Sequence, residues 1–469
     1  MSNINVTLPT ANRTGADLTS RRSVLALSAH AVLAPALIGL AQKSLPERPN
    51  FLFILTDDQR WDSLSLMNHP CLRTPHLDRL GKEGARFSNA FVTTSLCSPS
   101  RACFLTGQYA RRHGVRDNST PLPAGTKTFA TQLLGSGYDT AHIGKWHMDG
   151  MMERPGFSHA VTFPGQGTYT DPVLTINQRE QKVPGYLTDL LTDYAVEWLN
   201  QPRSNPFCMY FGHKACHLPV VPAQRHRKAC ADTPLPPPAS AKDTLEGKPE
   251  WVRTRSLGKT GVVNHPNYDL NHRNYLRTLM AVDDSMGRLF EVLEQRRLLD
   301  STAIVFAGDN GFFHGEHGLT NKRAMYEESI RIPFLMRYPR LARPGSVVDG
   351  MVLNIDLAPT FLDLAGVTTP SAVQGRSLAP LLSGKVSRIR ESFLYEYFRE
   401  ESFADTPSME GIRTEEWKYV RYPGSQEIDE LYNLKTDPQE MRNLARDSAA
   451  ASHREALKKA LQRLIHDAS

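Results

Sequence analysis

Two pairs of oxygen-bearing side chains follow short apolar segments that lie far apart in the sequence. Asp57 and Asp58 come directly after Phe51–Leu55, and Asp309 and Asn310 follow a second apolar run. Carboxylate and amide oxygens suit Ca²⁺ or Mg²⁺ and disfavour zinc. Either pair alone could cap a helix or a turn. Together the two pairs favour one shared site for a divalent cation, with Ca²⁺ as the first candidate.

The segment 97–107 reads C-S-P-S-R-A-C-F-L-T-G. It resembles the C-x-P-x-R signature, with its trailing T-G, of the sulfatase family in the alkaline phosphatase superfamily. The resemblance implies that a maturation enzyme oxidises Cys97 to formylglycine, an aldehyde, and that this residue also contacts the metal. One hydroxyl of the hydrated aldehyde would attack sulfur, and the other would let the sulfated intermediate collapse. Arg101 would orient the formylglycine and support its charge.

A short motif can occur by chance, so further segments that match the same family carry weight. The segment 144–147, G-K-W-H, resembles a second stretch of the same family. The resemblance implies that Lys145 neutralises charge on the sulfate and formylglycine oxygens. His147 would act as the base on the second hydroxyl during sulfate release.

A third segment, H-K-A-C-H-L-P at 213–219, resembles the family's H-x-x-x-H-x-P pattern. The match places a catalytic histidine at His217, facing the leaving oxygen. Many relatives carry proline where Cys216 stands, a departure that leaves this role unchanged. His213 is either a substrate contact or a structural residue, and the sequence leaves both readings open.

Lys322 precedes a Tyr-Glu pair in the segment 321–328 and resembles the family's lysine that meets the sulfate and the leaving oxygen. His314, His317 and the tyrosine-rich stretch 395–398 are candidates for contacts with a sugar. The alternative is that they pack between two domains.

Short apolar runs predict the strands that must position these residues. Phe51–Leu55, Phe207–Phe211 and Ala303–Ala307 have the length and composition of buried strands, and amphipathic stretches separate them. This alternation predicts an α/β fold with a central, mainly parallel sheet flanked by helices, and the family resemblance implies an alkaline-phosphatase-like arrangement. Ligands bind beyond the carboxyl ends of such strands, where the candidate residues would gather.

Three regions are predicted along the chain. Residues 1–45 contain a twin arginine before a short apolar stretch, which resembles a twin-arginine export signal and predicts a periplasmic or extracellular protein. Residues 46–375 form the catalytic domain, in which 232–266 is a long surface loop. Residues 376–469 form a smaller α+β subdomain with an antiparallel sheet. Its segment 430–444 resembles a structural stretch of bacterial sulfatases.

The composition is that of a globular protein, with 40% hydrophobic and 22% charged residues. A net charge of +6 without long basic runs suits an anionic substrate and gives no indication of nucleic-acid binding. After the leader no segment is long and apolar enough for a stable membrane span. The even number of six cysteines permits disulfides after export, but their spacings form no framework, and the five besides Cys97 are predicted to be buried or half-buried thiols.

These observations predict hydrolysis of sulfate esters, with sulfated polysaccharide, including the N-acetylglucosamine-6-sulfate type, as the substrate class that the resemblance implies. A phosphonate monoester or phosphodiester hydrolase is the first alternative, because such enzymes share the formylglycine motif and the metal site. A non-catalytic carbohydrate-binding relative is the second. It is disfavoured because every expected catalytic position is filled.

Overall fold

The computed structural model describes residues 48–148, 154–176, 178–256 and 262–469. The predicted export signal, residues 1–45, lies outside these ranges and stays a prediction. Among the described residues, no helix combines the length and the apolar character needed to cross a bilayer.

The described residues form a central sheet of ten strands. Its order across the sheet is β13 (Ser346–Val348), β2 (Ala85–Phe87), β12 (Phe334–Arg337), β9 (Thr302–Gly308), β1 (Asn50–Thr56), β8 (Phe207–Gly212), β4 (Asp139–Gly144), β5 (His159–Thr162), β6 (Val173–Ile176) and β7 (Arg179–Lys182). Strand β1 runs parallel to β8 and β9, and β4 runs parallel to β8 and β5. Antiparallel pairs join β12 to β9 and β2, and β6 to β5 and β7. The prediction of a mainly parallel sheet is therefore confirmed.

Strand β1 shows why the sequence folds this way, because it is apolar throughout and buried on both faces. Phe51, Phe53 and Leu55 enter the core on one side of the sheet, and Leu52 and Ile54 enter the core on the other. The helices of the described residues are α1 (Pro75–Glu83), α2 (Cys97–Thr106), α3 (Ala110–His113), α4 (Phe129–Gly135), α5 (Leu187–Asn200), α6 (Glu250–Arg255), α7 (Tyr268–Gln295), α8 (Glu327–Ile330), α9 (Leu357–Ala365), α10 (Ala379–Leu382) and α11 (Ala451–Ala468). Helices α2, α4 and α9 contribute to the first core, and α1, α5 and α7 to the second.

The C-terminal part contains the predicted antiparallel sheet, in the order β15 (Ser392–Tyr397), β16 (Met409–Thr414), β17 (Trp417–Arg421) and β18 (Glu430–Asn433). Helix α11 packs on one face of it. The opposite face joins the main core, where Phe393 stacks on Phe91 at 5.2 Å between ring centres. Tyr395 and Tyr397 are buried in that same core. Of the two readings of stretch 395–398, the structure shows the packed one for these two tyrosines.

Short strands complete the fold: β3 (Ala90–Phe91) pairs with β14 (Val352–Leu353), and β10 (Phe313–His314) with β11 (Thr320–Asn321). The predicted surface loop over 232–266 needs correction, because it contains α6. The sequence pattern missed this helix, which lasts only six residues and buries Trp251 and Val252.

The prediction of five ordinary thiols is wrong for two of them. Cys71 and Cys230 form a disulfide across 159 residues of sequence, with their Cα atoms 5.3 Å apart. Pairs this distant give no local spacing signal, so the sequence could not reveal the bond. Cys103, Cys208 and Cys216 are buried free thiols, as predicted.

Candidate active site

The carboxyl ends of the central strands meet at one level of the sheet. Thr56 of β1 is in register with Gly308 of β9, and Gly144 of β4 is in register with Gly212 of β8. A Cβ atom on Gly144 would lie 1.8 Å from the carbonyl oxygen of Gly212, so no side chain fits there. This close approach explains the glycine of the G-K-W-H segment and brings the residues that follow each strand together.

The predicted metal ligands are assembled and buried at this edge. Asp57, Asp58 and Asp309 each offer a carboxylate oxygen, and these oxygens lie within 4.8 Å of one another. The backbone N–H of Asp58 donates to Oδ1 of Asp309 at 2.9 Å, which ties the end of β1 to the end of β9. Asn310 donates from Nδ2 to Oδ1 of Asp58 at 2.7 Å.

Cys97 is the first residue of α2 and lies against this cluster. Its Sγ is 3.4 Å from Oδ1 of Asp57 and 4.0 Å from Oδ1 of Asp58. Pro99 lies in the first turn of α2, where proline costs no hydrogen bond. Gly107, in the left-handed conformation, caps the end of the helix after Thr106. Burial, and then the charge of Asp57, raise the pKa of the Cys97 thiol to about 12. The unmodified side chain is therefore a neutral thiol and a poor nucleophile.

Two lysines pair with the carboxylates that follow β1. Lys145 Nζ donates to Oδ2 of Asp57, and Lys322 Nζ donates to both oxygens of Asp58 at 2.5 and 2.6 Å. Burial works to raise the pKa of Asp57, but the charges of Lys145 and then His217 outweigh it and hold the pKa well below its usual range. Burial is likewise outweighed at Asp58, chiefly by Lys322, and its pKa is lowered.

Arg101 pairs with the third carboxylate from a fully buried position on α2. Its Nε lies 2.9 Å and its Nη2 2.8 Å from Oδ2 of Asp309, and Nη1 donates to the carbonyl of Lys145 at 3.0 Å. Burial, and then the neighbouring charge of Asp57, raise the pKa of Asp309 to about 7 despite this pairing. Arg101 thus only partly compensates the charge of Asp309, which lies beside the carboxylate of Asp57.

The residues present fit a hard divalent cation. Three buried carboxylates within 4.8 Å of one another repel and gain from a shared positive ion. The Oδ1 atom of Asn310 is buried without a hydrogen-bond partner among the described residues, whereas its Nδ2 is satisfied. Such an amide oxygen is available as a ligand for a hard cation. The donors, all oxygens besides Cys97, suit Ca²⁺ or Mg²⁺.

His147 follows β4 and His217 follows the neighbouring strand β8, and burial favours the neutral form of both rings. Burial, and then Lys145, lower the pKa of His147 well below its usual range, and burial lowers the pKa of His217 to about 4. Gln166 orients His147, because its Oε1 accepts from Lys145 at 2.6 Å while its Nε2 donates to Nε2 of the imidazole at 3.0 Å. His217 donates from Nδ1 to the carbonyl of Leu218 at 2.5 Å, which leaves Nε2 3.8 Å from Oδ2 of Asp58.

The three histidines predicted to contact substrate lie in different settings. His213 is buried at the end of β8 with its ring 4.4 Å from that of Phe211. His317 pairs with Asp243 at 2.7 Å and stacks on Tyr326 at 4.5 Å, an engagement that favours a structural role.

His314, the third of these histidines, lines a cavity of about 210 Å³ beside the carboxylate cluster. Its ring stacks on His272 at 4.3 Å and meets the edge of Tyr275 at 4.6 Å. The Tyr275 hydroxyl donates to the carbonyl of Asp58 at 2.7 Å, so one residue that lines the cavity also contacts the backbone of a candidate metal ligand. The other lining residues are Leu218, Val262, His265, Tyr268, Asn271, Phe312, Phe313 and Thr320.

Sequence reasoning missed three residues of this site. Gln166 bridges Lys145 and His147, and Tyr210 lies 3.3 Å from Nη1 of Arg101. Neither stands in a recognisable motif. Lys214, within the H-K-A-C-H-L-P segment, is buried, and its Nζ has no hydrogen-bond partner among the residues that the structure describes, which was not readable from sequence.

A buried cysteine at a helix start, set among paired carboxylates beyond the ends of parallel strands, is an arrangement that a metal-assisted hydrolase can use. The Sulfatase family model matches residues 49–367, and the N-sulphoglucosamine sulphohydrolase C-terminal model matches 315–467. The chain therefore belongs to the sulfatase family and is an enzyme of that family. The sulfatase family implies a formylglycine residue and a metal ion, and the cluster of aspartates around Cys97 is consistent with both.

Individual relatives agree with this assignment. The N-acetylglucosamine-6-O-sulfatase of Bacteroides thetaiotaomicron is 33% identical over 88% of this chain and 86% of that protein. A solved structure in complex with its substrate D-glucosamine-2-N,6-O-disulfate has a TM-score of 0.85 and 32% identity, over 90% of this chain and 98% of that one. The phosphonate monoester hydrolase of Agrobacterium radiobacter, with a TM-score of 0.75 and 22% identity over 90% of this chain and 96% of that one, shares the fold.

Proposed function

We propose that this enzyme hydrolyses sulfate monoesters on glucosamine units of sulfated carbohydrates, with the 6-sulfate as the first candidate. Cys97 is the precursor of formylglycine and one Ca²⁺ is the metal. The observation that carries the proposal is the position of Cys97, whose Sγ lies 3.4 Å from Asp57 within a buried oxygen cluster that suits a hard cation. The substrate class is supported by the names of the relatives that are 33% and 32% identical.

The side chains supply binding and charge for this reaction. Asp57, Asp58, Asp309 and Asn310 would hold the metal, which when bound polarises a sulfate oxygen and lowers the pKa of a neighbouring hydroxyl. Formylglycine at position 97 supplies, as its hydrate, the hydroxyl that attacks sulfur. The ammonium and guanidinium groups of Lys145, Lys322 and Arg101 surround that position and stabilise negative charge that develops on the reacting oxygens.

The two histidines move protons on opposite sides of the reacting group. His147 is neutral, and its Nε2, which now accepts from Gln166, is the atom that would accept a proton from a hydroxyl at position 97. His217 holds its Nε2 toward the cluster, and an arriving sulfate anion raises the pKa of this imidazole. Once protonated, His217 can give its proton to the leaving sugar oxygen.

The cavity lined by His314 supports a sugar as the group that carries the sulfate. Its volume of about 210 Å³ is below the roughly 300–1,000 Å³ of pockets for drug-sized ligands, so it suits one small ring or substituent. Nε2 of His314 and Nδ1 of His272 are buried there without hydrogen-bond partners among the described residues. Sugar hydroxyls or an amide substituent would satisfy such atoms. We therefore include His314 in the proposed substrate contacts.

Export from the cytoplasm is part of the proposal. The disulfide between Cys71 and Cys230 supports it, because such bonds persist in oxidising compartments and are rare in the cytosol of most organisms. A twin-arginine route would carry the chain across already folded. Oxidation of Cys97, buried within α2, is then expected before translocation.

Two measurements test the proposed function together. Mass spectrometry of the peptide that contains Cys97, from protein made in its own host, should show sulfur and two hydrogens replaced by oxygen. That protein should hydrolyse glucosamine-6-sulfate in preference to phenyl methylphosphonate. Cys97→Ala should abolish turnover, while Cys103→Ala, a matched change in the same helix, should retain it.

The outcomes separate the alternatives. Formylglycine with a preference for the phosphonate ester would make the protein a phosphonate monoester hydrolase. An unmodified cysteine in active, exported protein would contradict the mechanism. Correctly modified protein that binds the sulfated sugar and turns over neither ester would be a carbohydrate-binding relative.

A further inference from the structure

Three cations at the site are paired with its carboxylates. Lys145 pairs with Asp57, Lys322 with Asp58 and Arg101 with Asp309, and Arg101 also lies 3.9 Å from Asp57. A fourth cation, Lys214, lies within electrostatic reach, because burial lowers its pKa to about 8 while Asp57 acts on it in the opposite direction. Its Nζ is buried and has neither a hydrogen bond nor an ion pair among the described residues.

The backbone around Lys214 is fixed to the site. The N–H of Asp57 donates to the carbonyl of Ala215 at 2.8 Å, and the N–H of Cys216 donates back to the carbonyl of Asp57 at 2.7 Å. The Lys214 ammonium lies 5.0 Å from the centre of the Tyr169 ring. The hydroxyl of that tyrosine donates to the carbonyl of His217 at 3.0 Å. Tyr169 therefore lies against the Lys214 ammonium and is bound to the backbone of His217, the residue proposed to protonate the leaving oxygen.

A buried ammonium without a partner is costly, and one contact with an aromatic face offsets only part of that cost. Proteins place unsatisfied charges at sites where a ligand supplies the missing partner. We propose that Lys214 is a further anion-binding residue of this site and that its ammonium donates to the sulfate group of the substrate. This inference rests on the proposed function and adds a fourth protein cation to the three paired ones.

Binding measured without turnover tests the inference. In the Cys97→Ala background, loaded with calcium, glucosamine-6-sulfate is titrated by calorimetry into the parent, Lys214→Met, Lys214→Arg and the exposed control Lys228→Met. Lys214→Met should raise the Kd at least tenfold, because a charge-assisted hydrogen bond is lost. Lys214→Arg should stay within about threefold of the parent, since it keeps the charge. Lys228→Met should leave the Kd unchanged.

Thermal unfolding without ligand separates binding from a structural role. Removing an unsatisfied buried charge should leave the melting temperature of Lys214→Met equal to or above that of the parent. A Kd for Lys214→Met within twofold of the parent would overturn the inference. So would a lowered melting temperature together with a failure of Lys214→Arg to restore binding. If the parent binds phenyl methylphosphonate and not the sulfate ester, the proposed function fails, and the same comparison with the phosphonate decides the role of Lys214.

Discussion

The ion pair between Arg101 and Asp309 gives the sharpest test of how this site is held together. Arg101 is fully buried, and two of its nitrogens lie 2.8 and 2.9 Å from Oδ2 of Asp309. Arg101→Met replaces the guanidinium with an uncharged side chain and leaves the carboxylate without its cation. Metal-free protein, prepared with a chelator, isolates this pair from the metal.

The loss of stability expected for Arg101→Met depends on pH, because the protonation of Asp309 depends on pH. The pKa of this carboxyl is about 7 in the folded protein, above its unfolded value, so folding binds a proton and the contribution of Asp309 to the stability of metal-free protein falls as pH rises from about 4 to 7. Without Arg101 the pKa rises further, and the fall continues to higher pH. Breaking a buried pair costs about 3–5 kcal/mol, which we expect at pH 8.5. At pH 5.5 the Asp309 carboxyl is neutral, and the cost falls to about 1–2 kcal/mol for the lost hydrogen bonds. The longer contact of Arg101 with Asp57, at 3.9 Å, is lost at both pH values.

Urea unfolding at both pH values measures these differences for Arg101→Met, Asp309→Asn and the double variant. The double-mutant cycle should give a coupling energy of about 1–3 kcal/mol at pH 8.5 and less at pH 5.5. Arg390→Met is the matched control, because it breaks another buried pair, with Asp356, that includes none of the candidate metal ligands. Because its pair lies outside the candidate metal site, Arg390→Met should leave the affinity of that site for calcium unchanged.

Two results would refute this reasoning. One is an equal cost of Arg101→Met at pH 5.5 and 8.5, which would mean that Asp309 does not change its protonation over this range. The other is a coupling energy below about 0.5 kcal/mol at pH 8.5, the scatter of additive sites, which would mean that Arg101 does not compensate this carboxylate.

Four further predictions concern metal, catalysis and stability. Because Asp309 must lose its proton to bind a metal, calcium affinity measured by calorimetry should rise up to about tenfold per pH unit below 7 and level off above it; a flat profile would contradict its role as a ligand. Lys322→Met should lower kcat/KM by about 10²–10³-fold, with partial recovery in Lys322→Arg, and a change below threefold would exclude contact with the reacting oxygens. His217→Asn should reduce kcat for a sugar sulfate by about 10²–10⁴-fold but far less for 4-nitrophenyl sulfate, whose leaving group needs no proton; equal losses would argue against a general acid. Replacing Cys71 and Cys230 by serine should lower the free energy of unfolding by about 2–5 kcal/mol, and unaltered urea unfolding would show that the bond contributes nothing to stability.

The ends of the strands were predictable because local patterns fix them. The apolar run of β1 is confirmed residue by residue at Phe51–Leu55, and the polar pair that follows it must leave the sheet at its carboxyl edge. The same holds for β9 and Asp309. Gly144 was readable only as part of a motif, and the structure adds its reason, the close approach of Gly212. The predicted chain positions at this edge are therefore assembled where the sequence placed them.

Features that depend on tertiary packing were beyond the sequence. The bond between Cys71 and Cys230 joins positions 159 residues apart. Gln166 lies on a loop with no periodic pattern, yet it fixes the orientation of His147. The burial of Lys214 likewise depends on segments distant in the chain, because its neighbour Tyr169 belongs to the loop between β5 and β6. Residue type alone does not distinguish such a lysine from a solvated one.

The pairing of charges also indicates how a metal and an anion are accommodated together. Lys145 and Lys322 donate to the carboxylates that a cation would require. A carboxylate has two oxygens with about four lone-pair positions, so Asp58 can keep an ammonium on one side and contact a cation on the other. Added positive charge beside Asp57 and Asp58 weakens the hold of the carboxylates on both lysines and frees ammonium protons for an incoming anion. A cation bound by Asp57 and Asp58 would therefore favour the binding of a sulfate at this site.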